Sequence, residues 1–425
     1  MINILFIESG TGWGGSSAYL YSFLKNLNKE KFNPIVFLYR NGEGPFVKDI
    51  QALGIRYSFF KKQEMDKNLK VNFAMKSIWL EKIKKISEII KLKGILKSLL
   101  KILEFIRSDI PEIIQIKRII KQERINVIFL NNDPHYHIPG VLAARLAHIP
   151  CVCRKAGIGG GARIKKILSR YVDIFISSSQ GALKDYYREG LPMDKVKLIY
   201  GGVDFGRFNS SLGSVLTRRQ LNIQDDNILV GSIARVAPGK GQFELLEAIP
   251  RVIKECPQIR FIIVGDDVEK GGRLLSELRL RAESMGLSRY INFAGWRNDI
   301  PEILCAIDIF VHNPNTCLEA LGIATLEAMA MGKPTVVTDN WGLAETTENG
   351  ITGYIIPPLD SDALARAIID IASNSEKRHS MGQKAKERAV NLFDIAKNVK
   401  LTEEIIQNMI GQHLSRYKKS VIWKQ

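Results

Sequence analysis

Two glutamates stand eight residues apart in the C-terminal half of the chain, on either side of a glycine turn. Glu319 precedes the turn, and Glu327 lies inside the helix that the apolar pattern predicts after it. A helix that begins at such a turn presents free backbone N–H groups, which can hold a phosphate. These groups belong to Gly322, Ile323 and Ala324. The spacing predicts a phosphate contact flanked by two hydrogen-bond-accepting carboxylates, although a surface helix with solvated glutamates explains it equally well.

Two basic residues lie on a second glycine turn. Arg235 follows a predicted strand, and Lys240 precedes Gly241. A guanidinium and an ammonium so placed favour a pyrophosphate group, because both neutralise its negative charge. The stretch is not a Walker A loop, since glycine rather than serine or threonine follows the lysine. Taken alone, such a pattern more often belongs to a solvated basic turn.

Polar residues also follow two strands predicted in the N-terminal half. Asp133, His135 and His137 come after the strand at 127–130, and Arg154 comes after the next one. A general base among the first three is a hypothesis, since histidine titrates near neutral pH. Loop residues that satisfy backbone groups are the simpler interpretation. A metal site at this spacing lacks further ligands and is not expected.

The elements that must position these residues repeat one pattern twice. A strand, a glycine turn, a helix and a second strand open the chain, which predicts a parallel sheet covered on both faces. A second such series starts at Ile228, after a link rich in glycine and serine. We therefore expect an α/β fold of two Rossmann-like, doubly wound domains that face a cleft. Ligands of such sheets bind at the carboxyl ends of the strands.

The ordered set of motifs resembles the retaining GT-B glycosyltransferases of family four, the group one type. The set comprises Gly14-Gly15, Tyr200-Gly-Gly202-Val-Asp204-x3-Phe208, Arg235 with Lys240-Gly241, Val264-Gly265-Asp266, Phe293-Ala-Gly295 and Glu319-x7-Glu327-Ala-Met-Ala-x-Gly-x-Pro. The resemblance spans nearly the whole chain. It implies an acceptor-binding domain at 1–205 with a basic insert at 61–124, a donor-binding domain at 206–394, and a C-terminal helix at 395–425 that joins the first domain.

The resemblance also implies roles for the candidate residues. Arg235, Lys240 and Glu319 would be the catalytic residues, of which the first two neutralise the diphosphate leaving group while Glu319 contacts the donor sugar. The implied donor-binding residues are Gly14, Gly15, Gly265, Gly322, Ile323, Ala324 and Glu327, the last accepting hydrogen bonds from ribose hydroxyls. The implied acceptor residues are Asp133, His135 and Arg154.

The expected activity is that of a retaining hexosyltransferase. It would move a sugar from a UDP- or GDP-sugar to a glycan or lipid-linked saccharide in cell-surface polysaccharide synthesis. No cofactor or metal ion is expected, because fixed cations and a helix start can stabilise the departing diphosphate. The nearest carboxylate pair, Asp266 and Asp267, is expected to shape its turn.

The charge distribution suggests where this enzyme acts. The net charge of the 425 residues is +17, and 61–124 holds 17 Lys and Arg against 8 Asp and Glu. This amphipathic insert favours an anionic membrane surface over a solvated helical face, and nucleic acid least, because aromatic side chains are sparse there. The absence of a long apolar run or a basic leader, and five scattered cysteines, predict a cytoplasmic, peripheral location on the inner face of the plasma membrane.

An NADP-dependent oxidoreductase is the alternative function. The turn Gly10-x-Gly12-x-x-Gly15 satisfies the dinucleotide-binding fingerprint, and Arg40-Asn41 stand where an NAD enzyme has an acid. This alternative leaves the basic turn and the paired glutamates without a purpose. A third hypothesis keeps the fold as a sugar-nucleotide or polyanion-binding protein without catalysis, against which the intact charged residues argue.

Overall fold

The computed structural model describes residues 1–10, 14–39, 42–60, 105–155, 162–208, 215–267 and 271–422. Most of the basic insert predicted at 61–124 lies outside these residues. So do Gly12 and the pair Arg40-Asn41, on which the dinucleotide interpretation depends.

The first sheet contains seven strands in the order β3-β2-β1-β4-β5-β6-β7. The strands are β1 (Ile2–Glu8), β2 (Phe32–Leu38), β3 (Arg56–Phe59), β4 (Val127–Leu130), β5 (Cys151–Lys155), β6 (Ile174–Ser177) and β7 (Val196–Leu198). The central strand β1 pairs in parallel with β2 and β4, with Ile4 opposite both Pro34 and Val127. The strand order reverses between β1 and β4, which is where such sheets bind ligands.

Six helices of the described residues accompany these strands. They are α1 (Gly15–Asn26), α2 (Pro45–Ala52), α3 (Ile110–Gln122), α4 (Ile138–Ala147), α5 (Ala162–Leu168) and α6 (Gln180–Arg188). Apolar residues of the central strands β1, β2, β4 and β5 are buried except Ile2, as expected for a parallel sheet with helices on both faces, whereas those of the edge strands β3 and β7 are only partly buried.

The second sheet contains six strands in the order β10-β9-β8-β11-β12-β13. The strands are β8 (Ile228–Ile233), β9 (Ile259–Val264), β10 (Ile291–Gly295), β11 (Ile309–His312), β12 (Thr335–Thr338) and β13 (Gly353–Ile356). The associated helices are α7 (Val215–Gln220), α8 (Gln242–Glu255), α9 (Arg273–Ser284), α10 (Ile300–Ala306), α11 (Ile323–Ala330), α12 (Ser361–Ala372), α13 (Ser375–Leu392) and α14 (Ile395–Ile422). The order reverses between β8 and β11.

Both faces of the second sheet are covered by a core of their own. Leu229 and Phe310 belong to one apolar cluster, while their neighbours Val230 and Val311 belong to the other. Successive residues of a strand point to opposite faces, so this alternation places a packed layer on each side. The expected α/β fold with two doubly wound parallel sheets is therefore confirmed.

Contacts between Cα atoms divide the chain into two compact units. The first comprises Met1–Arg154, Gly161–Phe175 and Glu404–Gln425, and the second comprises Lys155–Gly160 and Ile176–Glu403. The predicted limits of the two domains, 1–205 and 206–394, stay a prediction. The candidate donor residues from Arg235 to Glu327 all belong to the second unit.

The loops that follow β8 and β11 are joined by a close backbone approach at Gly241. This residue has φ of 82°, and its carbonyl accepts a hydrogen bond of 2.8 Å from the Asn313 side chain. A Cβ atom on Gly241 would lie 1.9 Å from the Asn313 carbonyl oxygen. Only glycine fits here, which explains why the basic turn carries this residue after Lys240.

We expect Gly241→Ala to lower the free energy of unfolding by roughly 3 kcal/mol or more, because it combines backbone strain with a steric overlap. Gly286→Ala is the matched control, since Gly286 has φ of 69° and no atom within 4 Å of a new Cβ. It should cost only about 1 kcal/mol. Urea titration measures both, and equal losses would contradict the proposed close approach.

Candidate active site

An ion pair links the loops that follow β8 and β11. The Lys240 ammonium contacts Oε1 of Glu319. The Nε2 atom of His312 is 3.7 Å from the same oxygen. His312 is the last residue of β11, and its Nδ1 is 2.9 Å from the Thr325 hydroxyl in the first turn of α11. The pair therefore stands at the switch point of the second sheet, where a ligand is expected.

The neighbours of Glu319 keep it ionised. Burial raises the pKa of this carboxyl, but the hydrogen bonds and charges of His312 and Lys240 outweigh burial and lower the pKa to about 2. Burial lowers the pKa of Lys240, and Glu319 more than compensates, so that the net direction is upward. Both groups are charged at neutral pH, and the charge of each largely compensates the charge of the other.

The backbone of Glu319 is fixed by the segment after β12. Its N–H donates to Oδ1 of Asn340 at 2.9 Å, and its carbonyl accepts from the Gly342 N–H at 3.1 Å. The Asn340 amide also donates to the Cys317 carbonyl at 3.1 Å. The buried Asn340 side chain therefore holds the loop 317–319 by its hydrogen bonds to the Glu319 N–H and the Cys317 carbonyl.

The N-terminus of α11 is open for a ligand. Gly322 caps it with φ of 82°, and a Cβ there would meet Leu343 at 2.6 Å and the His312 ring at 3.2 Å. The Gly322 carbonyl accepts the first bond of the helix from Thr325 at 3.0 Å. The N–H groups of Ile323 and Ala324 therefore precede the helical ladder and point along its axis. This arrangement can bind an anion.

Glu327 lies one helical turn further along α11 in a different environment. Burial raises its pKa to about 7, and the Arg207 guanidinium opposes this only in part. Arg207 follows Asp204 in the turn whose Phe208 packs into the core of the second sheet. The pKa values of the two glutamates thus lie far apart, because Glu319 has the Lys240 ammonium and the His312 ring beside its carboxylate, whereas desolvation dominates at Glu327.

Arg235 is exposed directly after β8, with its carbonyl accepting a 2.9 Å hydrogen bond from the buried Gln242 side chain. The neighbouring strand end approaches closely at Gly265, which has φ of 140°, and a Cβ there would lie 1.8 Å from the Ala234 carbonyl oxygen. The Val236 N–H donates to the Asp266 carbonyl at 3.1 Å. Gly265 therefore sets how near the Arg235 turn lies to the end of β9.

The side chains of Asp266 and Asp267 accept hydrogen bonds from backbone N–H groups in and next to the turn where they lie. Oδ1 of Asp266 accepts from the Asp267 N–H at 2.8 Å, and Oδ2 of Asp267 accepts from the Leu274 N–H at 2.8 Å. No group of three potential metal-ligating side chains occurs in the described part of the chain.

In the first unit, the glycine turn opens α1 beside a buried carboxylate. Gly14 caps the helix, and a Cβ added to Gly14 or to Gly15 would have no atom within 4 Å, so both are accessible to a ligand. Glu8 accepts from the Ser16 hydroxyl at 3.0 Å and from the Asn131 amide. These contacts join the ends of β1 and β4 to the start of α1.

The acceptor candidates of the first unit have unequal environments. Asp133 forms a buried ion pair of 3.1 Å with Lys165, and the Arg154 guanidinium lies 3.4 Å from the Tyr19 ring centre. His137 is fully buried, and burial lowers its pKa to about 3. His135 is only half-buried, in the turn Pro134–Tyr136. Of the three general-base candidates, His135 is the one that keeps accessible surface.

Sequence reasoning missed several residues that shape these sites. His312 and Asn340 position Glu319, and Glu8 and Lys165 hold the loops of the first unit. A signal existed for three of them, because each is a polar residue at or just beyond the end of an apolar strand. Lys165 gave no such signal, since a lysine within a basic amphipathic stretch normally points to solvent.

The two doubly wound sheets form the GT-B fold of glycosyltransferases that use nucleotide-sugar donors, and two family models match the chain. The family described as "Glycosyl transferases group 1" matches residues 216–388, and "Glycosyltransferase Family 4" matches residues 93–207. The chain belongs to the group 1 glycosyltransferases.

Curated relatives carry related names. The chain is 26% identical over 325 residues to the Escherichia coli "UDP-Gal:alpha-D-GlcNAc-diphosphoundecaprenol alpha-1,3-galactosyltransferase", covering 71% of this chain and 80% of that protein. It is 28% identical over 232 residues to a Mycolicibacterium smegmatis "GDP-mannose-dependent alpha-(1-6)-phosphatidylinositol monomannoside mannosyltransferase", covering 53% of this chain and 57% of that protein.

Solved structures share the fold. Anabaena HepE in complex with UDP and glucose has a TM-score of 0.78 at 23% identity, covering 96% of this chain and all of that one. Sucrose-phosphate synthase from Thermosynechococcus elongatus has a TM-score of 0.73 at 16% identity, covering 97% and 100%. The oxidoreductase alternative finds no support in any of these comparisons. Within the described residues, no helix combines the length and apolar character needed to cross a bilayer.

The raised pKa of Glu327 makes stability depend on pH. The ordinary pKa of a glutamate carboxyl is 4.5 and that of Glu327 in the folded chain is about 7, so the folded state holds the proton more tightly. This contribution is fully present below pH 4.5 and is lost as the pH rises through 7, by up to roughly 3 kcal/mol. Glu327→Gln should remove this part of the pH dependence of the free energy of unfolding, measured by urea titration between pH 4.5 and 8.

Glu277→Gln is the matched control, because Glu277 is exposed on α9. The free energy of unfolding of this variant should change with pH as it does in the unmodified protein. A Glu327→Gln variant with that same slope would show that Glu327 titrates normally.

Proposed function

We propose that this protein transfers a sugar from a UDP- or GDP-sugar to a lipid-linked or glycan acceptor with retention of anomeric configuration. The observation that carries the donor assignment is the ion pair of Lys240 and Glu319 beside the open N-terminus of α11. A diphosphate needs cations and backbone N–H donors around it. A sugar needs groups that accept hydrogen bonds from its hydroxyls. Both kinds of group stand at the switch point of one sheet.

The diphosphate would take the place of Glu319 as the partner of Lys240. Departure of the nucleoside diphosphate builds negative charge on its terminal phosphate, which Lys240, Arg235 and the N–H groups of 323–324 would stabilise. Glu319, freed from the ammonium, accepts hydrogen bonds from the sugar hydroxyls. We assign Glu319 no nucleophilic role: its proposed part is to accept these hydrogen bonds and to supply negative charge beside the sugar. This scheme needs no metal ion.

The nature of the acceptor is proposed from the relatives. The Escherichia coli relative is named for a diphosphoundecaprenol-linked acceptor, and the mycobacterial relative for a phosphatidylinositol mannoside. Both are saccharides on lipid carriers, so we propose a role in cell-surface polysaccharide synthesis with peripheral association at a membrane. In the first unit, His135 is the best-placed base for the acceptor hydroxyl, with Asp133 and Arg154 beside it in the sequence-predicted acceptor set.

Donor binding is tested by thermal shift without magnesium. UDP or GDP at millimolar concentration should raise the Tm by several degrees in the presence of EDTA. Lys240→Ala and Arg235→Ala should each weaken nucleotide affinity about tenfold or more, because each removes a charge from the diphosphate site. Lys254→Ala and Arg366→Ala, which remove exposed charges of the same unit, are the matched controls.

Stabilisation by NADP(H) but not by UDP, GDP or ADP would contradict the transferase proposal. A shift that appears only with magnesium or manganese would contradict the metal-free scheme while leaving the donor class intact.

Retention is tested on the product. After a donor panel identifies the nucleotide sugar, proton NMR of the fresh product should show the same anomeric configuration as the α-linked donor. An inverted linkage would refute the stereochemical part of the proposal and leave the donor-binding residues unchanged.

A further inference from the structure

Trp341 has a backbone conformation that its side chain disfavours. Its φ is 44°, in the left-handed region where a bulky residue is rare and strained. Of the four other non-glycine residues with positive φ in the described ranges, three follow helix ends within two residues, where such a conformation is an ordinary cap. These are Arg124, His148 and Asn222. Trp341 instead lies in the turn after β12, and strain of this kind is common at functional sites.

The residues on both sides of Trp341 hold the loop of the candidate donor site. Asn340 accepts a hydrogen bond from the Glu319 N–H, and the Gly342 N–H donates one to the Glu319 carbonyl. A Cβ atom on Gly342 would lie 1.7 Å from the Ala320 carbonyl oxygen. The backbone of the turn is thus packed directly against the backbone of Glu319. Trp341 is therefore fixed next to the place where the donor sugar is proposed to bind.

A cavity of about 500 Å³ lies beside Trp341. Trp341 lines it together with polar and charged residues of α6 and of the segment after β12, namely Gln180, Lys184, Arg188, Asp339 and Glu345. All of them belong to the second unit. The Arg188 guanidinium lies 4.8 Å from the centre of the Trp341 ring. The volume and the mixture of an aromatic side chain with polar groups are typical of a site for a small molecule.

The two cations of this cavity are available to an anion. Lys184 and Arg188 lie one turn apart on the same face of α6, and neither forms an ion pair with any residue that the structure describes. Glu345 is used differently, because its carboxylate accepts from the N–H groups of Gln180 and Gly181 at 2.8 and 2.6 Å. It therefore binds the start of α6 and leaves the two cations to a ligand.

We propose that this cavity binds a phosphorylated saccharide, which is the anionic part of the acceptor. The phosphate contacts Lys184 and Arg188, because both offer positive charge and N–H donors. The Trp341 indole supplies apolar surface for the sugar ring, and the Asp339 carboxylate accepts hydrogen bonds from its hydroxyls. The strained turn would then position the indole for the acceptor and the Glu319 backbone for the donor.

This inference rests on the proposed function in one respect, because an acceptor must reach the donor sugar beside Glu319. The donor site depends on Lys240 and Arg235, neither of which lines this cavity. Binding at the two places can therefore be measured separately.

The test is a calorimetric titration of the full chain with the anomeric phosphates of glucose, galactose, mannose and N-acetylglucosamine. Millimolar UDP and GDP are present to occupy the donor site. At least one sugar phosphate should bind with a millimolar or lower Kd, and the free sugar about tenfold more weakly. Lys184→Ala and Arg188→Ala should each weaken binding about tenfold, whereas Lys240→Ala should leave it unchanged. Lys254→Ala and Arg366→Ala are the matched controls for charge.

Trp341→Asn separates a binding role from a purely structural one. Asparagine tolerates the left-handed region, so relief of strain offsets part of the lost packing, and the urea midpoint should stay within about 0.5 M of its original value. Binding of the sugar phosphate should nevertheless weaken about tenfold. Leu359→Asn is the matched control, since Leu359 has φ of 63° and is 65% exposed in the same unit. It should bind like the unmodified chain.

Three results would overturn the inference. These are no binding of any of the four sugar phosphates, unchanged binding in Trp341→Asn and both α6 variants, and binding that is lost in Lys240→Ala. The last would show that sugar phosphates occupy the donor site. Sugar phosphate binding without any thermal shift by UDP or GDP would refute the donor part of the proposed function and leave the assignment of this cavity intact.

Discussion

The ion pair between Lys240 and Glu319 is the interaction on which the arrangement of the second unit depends. It connects the loop after β8 to the loop after β11, at the point where the strand order reverses. Gly241 brings the two loops into backbone contact, and Asn340 holds the Glu319 backbone from the next strand along the sheet. Residues from three strand ends thus contact Glu319, two at its carboxylate and one at its backbone. The ammonium of Lys240 is thus already compensated by a carboxylate, so under the proposed function a diphosphate would replace Glu319 as its partner.

The first unit also contains a buried ion pair after the strand where its sheet order reverses, but this pair has a different role. Asp133 follows β4 at the reversal of the first sheet, yet its partner Lys165 is a residue of α5 rather than a ligand-facing cation. The carboxylate therefore helps to hold a helix in place. Lys155, which ends β5 and is counted with the second unit, is similarly bound to Asp185 at 2.6 Å and to Glu189 at 3.4 Å. These two buried lysines position loops and helices of the chain.

The sequence predicted the order of strands and helices because parallel strands buried on both faces leave clear apolar runs. It missed β3, since Arg56-Tyr-Ser-Phe59 lies at the sheet edge and lacks such a run. It placed Glu319, Lys240 and the α11 turn by type and spacing, and the structure brings these three together. The partners His312 and Asn340 come from other strand ends, so no local spacing could connect them to Glu319. The orientation of α5 was equally invisible, because it follows from one distant carboxylate rather than from periodicity.

The two glutamates of the motif have different environments, because Glu319 lies in the loop before α11 and Glu327 in the middle of that helix. Glu319 precedes α11 and has an ammonium and an imidazole beside its carboxylate, so its pKa falls to about 2 and it is charged at neutral pH. Glu327 follows within the helix, where burial dominates and raises its pKa to about 7. An ionised carboxylate that is already paired with a cation suits the proposed donor site, where a phosphate would take over that cation. A carboxyl that is close to neutral suits a site where hydroxyl groups are the partners, because it can enter contact without the full cost of desolvating a charge.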